Sequence, residues 1–167
     1  SRFMQKVNPS AYGMNNINKT GVLYNSASLV YNNSIESKYF FGAISFDQNN
    51  FSIGFDIYSL TMDNTGLVNT KPSLNYIYKV QLDNELYFLP SITLGVGNSR
   101  VDRNKLIYED QLSLVSGYLQ TESNDPLASQ IGNSNYMDLG ASLLVHSNNF
   151  LVGFSLKHLN QPNISFN

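Results

Sequence analysis

Cysteine is absent from this 167-residue chain, and so is tryptophan. Without cysteine there is neither a disulfide framework nor a thiolate metal site. Charge is scarce too: Asp, Glu, Lys and Arg make up 13% of the residues, about half of the roughly 25% usual in soluble domains. A soluble protein stays dispersed through a charged exterior, so much of this surface is expected to face something other than water. The net charge of −2 leaves no basic footprint, which argues against nucleic acid as the main partner and against electrostatic docking on anionic lipid. No apolar run approaches the ~20 residues of a membrane-spanning helix. Ser1-Arg2-Phe3 does not open a signal peptide, and a leader already removed is compatible with this start.

What is present is alternation with a period of two, the pattern that sends successive side chains to opposite faces of a strand. Phe51, Ile53, Phe55 and Ile57 share one face against Ser52, Gly54, Asp56 and Tyr58. Leu74, Tyr76, Tyr78, Val80 and Leu82 oppose Ser73, Asn75, Ile77, Lys79 and Gln81, where Ile77 is the only exception. Leu86, Phe88, Pro90, Ile92, Leu94 and Val96 form a long oily face against Tyr87, Leu89, Ser91, Thr93, Gly95 and Gly97. Two further segments, 136–146 and 150–157, alternate in the same way as a hairpin. Segments 20–31 and 38–46 are less regular but rich in aromatic and β-branched residues.

Seven strands follow, in a transmembrane antiparallel β-barrel of which this chain supplies about half. Asp47–Asn50, Asp83-Asn84 and Ser147–Asn149 are tight turns, and they fall on one side of the sheet. The connection 98–135 is long and polar, and it leaves from the other side. Short periplasmic turns and long surface loops are the habit of outer-membrane barrels. An odd strand number does not close an antiparallel cylinder, so residues 1–167 are expected to be one N-terminal part of a larger barrel with no internal domain boundary.

Candidate sites are few. Asp102, Arg103, Lys105, Glu109 and Asp110 cluster in the long connection. They read as a solvated loop, with reception of a protein partner or binding of calcium as the functional alternatives, although no EF-hand spacing is present. His146 and His158 end strands without ligand-like neighbours, so no metal is expected. Gly95-Val96-Gly97 precedes no helix or Lys-Ser/Thr and is read as inward glycines making space, not as a phosphate loop. No arrangement supports nucleophilic or acid–base catalysis, and no cofactor is implied. Tyr24, Tyr31, Tyr39, Tyr76, Tyr78 and Tyr87 are candidates for an interfacial girdle.

Two stretches carry a resemblance. Met4-Gln5-Lys6-Val7-Asn8-Pro9-Ser10-Ala11-Tyr12-Gly13 resembles the N-terminal M-x-x-x-NPAYAG signature of the PorP/SprF family of type IX secretion membrane proteins, with Ser10 inserted and the second alanine missing. Phe150 to Pro162, running FLVGFSLKHLNQP, is similar to that family's strand ending in HLxxP. The family-pattern residues are Asn8, Pro9, Tyr12, Gly13, Gly153, His158, Leu159 and Pro162. The resemblance implies a non-catalytic outer-membrane barrel that works with type IX secretion components. It also implies docking or anchoring of an exported adhesin or gliding protein with a C-terminal sorting domain. A passive solute channel is the alternative, suggested by the small polar residues of the inward face.

Overall fold

In the computed structural model, residues 3–15, 17–28, 34–102 and 131–160 are described. A short helix α1 (Met4–Val7) and a 3-10 turn (Pro9–Gly13) precede the strands β1 (Lys19–Ser28), β2 (Ser34–Phe46), β3 (Phe51–Met62), β4 (Leu67–Tyr78), β5 (Val80–Asp83), β6 (Leu86–Asp102), β7 (Ile131–His146) and β8 (Leu151–Leu156). Neighbours pair antiparallel in the order β1-β2-β3-β4-β6-β7-β8, with β5 continuing β4 along β6. The result is a curled half-barrel of seven strands, with β4 and β5 counted as one.

The division of β4 from β5 has a local cause. Pro90 of β6 has no N–H to offer, and pairing lapses between Ile77↔Ser91 and Val80↔Phe88; on the other edge the Lys79 N–H bonds the Asn50 carbonyl at 2.8 Å, one step past Phe51↔Tyr78. Pro72 produces a second lapse, between Thr70↔Asn98 and Ser73↔Gly95. Proline inside a sheet removes a ladder hydrogen bond, and both gaps lie where that donor is missing.

The oily faces point outwards. Phe55, Ile57, Leu74, Tyr76, Tyr78, Ile92, Leu94, Val96, Met137, Val152 and Phe154 are exposed, Ile92 by 61% and Val152 by 63%. Their opposite-face neighbours Ser52, Asn75, Ser91, Asp138 and Ser142 are buried. On β6 the apolar band runs from Phe88 to Val96 and on the paired β7 from Val145 to Met137. Roughly nine residues at ~3.3 Å each, tilted by ~40°, span roughly 23 Å, close to the ~25 Å apolar belt of outer-membrane barrels. At the tight-turn end Phe46, Phe51 and Tyr76 stack at 4.7 and 5.6 Å. Tyr76 and Tyr78 do face outwards there. Tyr39 does not: it lies inside, 3% exposed, because it shares the face of Phe41 and Ala43. Tyr87 also belongs to the inner face and stacks on His146 at 5.3 Å, while Tyr31 lies outside the described residues.

Beyond the band the strands go on. Residues Asn98 to Asp102 pair with Asn135 to Ile131, so the long connection is shorter than the sequence suggests. Its polar ends are strand, with Asn98 bonded to Asn133 and Asn135 at 2.8 and 2.6 Å. Likewise β3 and β4 continue to the turn Asp63–Thr65, closed by Gly66 at φ 59°, which puts one short turn on the long-loop side as well. Alternation fades in these extensions because water replaces the oily neighbour on the outer face, yet the backbone ladder persists.

Candidate functional site: the filled lumen

The concave face of the sheet is occupied by the chain's own N-terminal segment. Asn8 is extended (φ −130°) and caps the 3-10 turn, its Oδ1 accepting the Ser10 N–H at 3.0 Å. Pro9 stands at the start of that turn, where its fixed φ suits the bend and its missing N–H costs nothing. Pro9, Ser10, Ala11, Tyr12 and Gly13 are all buried.

Each of these residues meets a different part of the wall. Ser10 joins the register partners Ser91 and Ser142 in a triangle of hydroxyls with edges of 3.1, 3.0 and 2.6 Å. Tyr12 lies over Gly54, where a Cβ would come within 2.4 Å of its ring. Its hydroxyl meets Asp56 and Tyr39, each at 3.2 Å. Burial first, then the Asp56 charge and the Tyr39 hydroxyl, push the Tyr12 phenol far above its ordinary value, so it remains a neutral donor. Asp56 also accepts from Ser73 at 2.7 Å and Asn75 at 2.9 Å. Gly13 rests against Ile77 and Leu89.

The apolar exceptions on the inner face thereby find their reason. Ile77, Leu89 and Leu144, 0%, 0% and 1% exposed, form a core with Ala11, Tyr12, Tyr39, Phe41 and Ala43. They make a dry seat for the N-terminal segment in a wall that is otherwise polar. Sequence reasoning noted Ile77 without a role and passed over Leu89 and Leu144. The signal was available, since Leu89 and Leu144 interrupt the polar face of their strands as Ile77 does.

The second family-like stretch meets the first. Asn8 Nδ2 donates to the carbonyls of Leu143 (3.0 Å) and Phe154 (3.3 Å), bridging β7 and β8. Gly153 permits the approach, because a Cβ there would lie 2.6 Å from Asn8 Nδ2. After β8 the chain turns at His158, in the left-handed region at φ 59°, a conformation in which histidine is tolerated better than bulky residues. The turn sets His158 Nδ1 3.0 Å from Asp138, which also pairs with Lys71. The Leu159 N–H then bonds the Leu139 carbonyl, and Asn160 takes over the edge of β7: its Oδ1 accepts from Leu139 N at 3.0 Å and its Nδ2 donates to the Met137 carbonyl at 2.7 Å.

The loop candidates divide differently. Asp102 is the last residue of β6, its N–H donating to the Gly66 carbonyl at 3.1 Å, and so belongs to a strand end and not to a free loop. Arg103, Lys105, Glu109 and Asp110 lie outside the described residues, as does Pro162. His146 is placed against Tyr87, with Lys79 over the same ring at 4.5 Å. Gly95 and Gly97 are inward and buried; a Cβ at Gly97 would strike the Tyr136 ring at 2.0 Å.

Above the N-terminal segment, towards the long-loop end, the lumen keeps a cavity of about 320 Å³. Gln5 and Lys6 form its floor, with Tyr39, Tyr58, Lys71, Asp138 and Lys157 among its walls. No helix among the described residues is long and apolar enough to cross a membrane, and the apolar belt lies on the strands.

Comparison with known proteins agrees with this architecture. No curated protein and no solved structure matches the chain. The family model described as type IX secretion system membrane protein PorP/SprF matches residues 2–167, a span that contains both the N-terminal segment and the strand exit that grips it. The chain therefore belongs to the PorP/SprF family of type IX secretion system membrane proteins.

Proposed function

We propose that this chain is part of a non-catalytic outer-membrane barrel that docks or anchors an exported cell-surface protein, an adhesin or gliding protein, beside the type IX machinery. The observation that carries this reading is the filled lumen. In an open channel for solutes the inward Ser, Thr and Asn side chains would face water. Here Ser91, Ser142, Asn75 and Thr93 are engaged with the N-terminal segment or with one another. The apolar belt meets lipid, and the tight turns at Asp47–Asn49 and after Asp83 and His146 face the periplasm, so the opposite end of the sheet, where β6 stops at Asp102 and β7 starts at Ile131, faces the cell surface.

In a bilayer the outer edges of β1 and β8 cannot stay unpaired, since each unsatisfied backbone group in hydrocarbon costs several kcal/mol. The wall at these edges is accordingly completed by further strands or by a partner.

Native pull-down from outer membranes tests the docking role. A large exported surface protein and type IX components are expected to copurify with the barrel. Recovery of lipid alone, with steady ion conductance in a planar bilayer, would replace docking by a channel.

A further inference from the structure

The lumen cavity holds cations and amides whose bonding is incomplete. The Lys6 ammonium meets only aromatic faces among the described residues, lying 4.8 Å from the Tyr58 ring centroid and 5.7 Å from that of Tyr39. Lys157 Nζ donates to the Lys6 carbonyl at 3.2 Å. Burial first, and then the like charge of Lys71, lowers the Lys157 ammonium below its ordinary value, against the opposing pull of Asp56 and Asp138. Asp138 Oδ2 is paired with Lys71, while its Oδ1 lies 3.0 Å from His158 Nδ1 and makes no hydrogen bond, and Asp56 is turned towards Tyr12, Ser73 and Asn75. Three lysines thus face two carboxylates, inside a chain whose net charge is −2. The floor adds a second observation: Gln5 is 5% exposed, and its Nε2 has no hydrogen-bond partner. In the wall, Asn69 Oδ1 is likewise without one. A buried amide left unpaired costs about 1–3 kcal/mol, a cost that a ligand's own polar groups would relieve.

We infer that this cavity receives a carboxylate-bearing, extended peptide segment entering from the long-loop end. The Lys6 and Lys157 ammoniums would take its carboxylate, and Gln5 Nε2 and Asn69 Oδ1 would take a main-chain carbonyl and N–H. The Tyr39, Tyr58 and Tyr136 rings supply flat walls for an extended chain, and the amide pair is what distinguishes a peptide from a bare anion. The inference deepens the docking reading and rests on it for the source of the peptide.

The test uses the full-length protein in nanodiscs and a fluorescein-labelled peptide of alternating Glu and Gly. The Glu peptide is expected to bind, its Gln counterpart to bind at least roughly tenfold more weakly, and added salt to weaken the Glu peptide. Lys6→Met with Lys157→Met should weaken binding at least roughly tenfold with the heat-modifiable gel shift of the folded barrel retained, whereas Lys38→Met, on the outer face, should not. Lys157→Arg checks folding independently and should retain binding. Equal binding of the Gln peptide, or unchanged binding in the double variant, overturns the site. Competition by inorganic phosphate as effective as by unlabelled Glu peptide means a simple anion site and overturns the peptide assignment. Peptide failure with a successful pull-down removes this site and leaves docking through another surface. Peptide binding with a failed pull-down removes the docking role and leaves the site.

Discussion

Replacing Gly54 by leucine is expected to unseat the N-terminal segment and turn a closed barrel into a steady ion conductor. A Cβ alone at position 54 would stand 2.4 Å from the Tyr12 ring, and neither side can yield. Gly54 is fixed in a ladder between β2 and β4, while the ring is clamped by Asp56 and Tyr39. Tyr12→Ala reaches the same state from the other partner. Truncating a buried aromatic costs about 3–5 kcal/mol, and at ~1.4 kcal/mol per factor of ten this raises the unseated population by roughly a hundredfold or more. Tyr12→Phe keeps the ring and removes one donor to Asp56, so it should conduct far less than Tyr12→Ala. Planar-bilayer recordings of the full-length protein read these differences directly. Wild-type conductance equal to that of Gly54→Leu would show that the segment does not block the lumen.

The second large effect concerns Asp138. Its side chain is 5% exposed and sits between Lys71, itself 21% exposed, and His158. Asp138→Ala leaves the Lys71 ammonium inside the wall without its counter-ion and frees the turn at His158. Breaking one side of a buried pair costs about 3–5 kcal/mol, which thermal unfolding in detergent would register as a marked drop in Tm. The double change Asp138→Leu with Lys71→Met removes both charges and should recover most of that loss, because two desolvated ions are replaced by packed apolar groups. A double variant no more stable than Asp138→Ala would mean that the carboxylate acts chiefly through His158 and not through Lys71.

The strands within the lipid belt were legible because the solvent on each side of the wall differs, which imposes strict alternation on Phe51 to Tyr58, Leu86 to Gly97 and Tyr136 to His146. Where water bathes both faces the pattern fades, so the pairing of Asn98 to Asp102 with Ile131 to Asn135 could not be read from it. Pro72 and Pro90 interrupt the ladder without ending the sheet, an outcome that depends on the neighbouring strand and not on local preference.

The candidate site was legible only as motif. Asn8, Pro9, Tyr12 and Gly13 stood out beside Gly153 and His158, but nothing in either stretch says that Asn8 and Phe154 share a hydrogen bond across 146 positions. The inward apolar residues Ile77, Leu89 and Leu144 were the physical trace of that contact, since a polar lumen has no use for them unless something dry packs there. Lys6 and Lys157 carried no sequence signal, because their meeting depends on the N-terminal segment folding back inside the sheet.

The absence of tryptophan offers the most direct test of this arrangement. In the full-length protein, with any tryptophan outside residues 1–167 first changed to phenylalanine, a single indole can be introduced at Val96→Trp, on the outer face where the side chain is 57% exposed, or at Tyr58→Trp, which lines the lumen cavity. In bilayers whose acyl chains carry bromine, the indole at 96 is predicted to be strongly quenched and the indole at 58 to stay bright. Equal quenching at both positions, or quenching at 58 alone, would contradict a half-barrel with its oily face in lipid and its lumen filled by its own N-terminus.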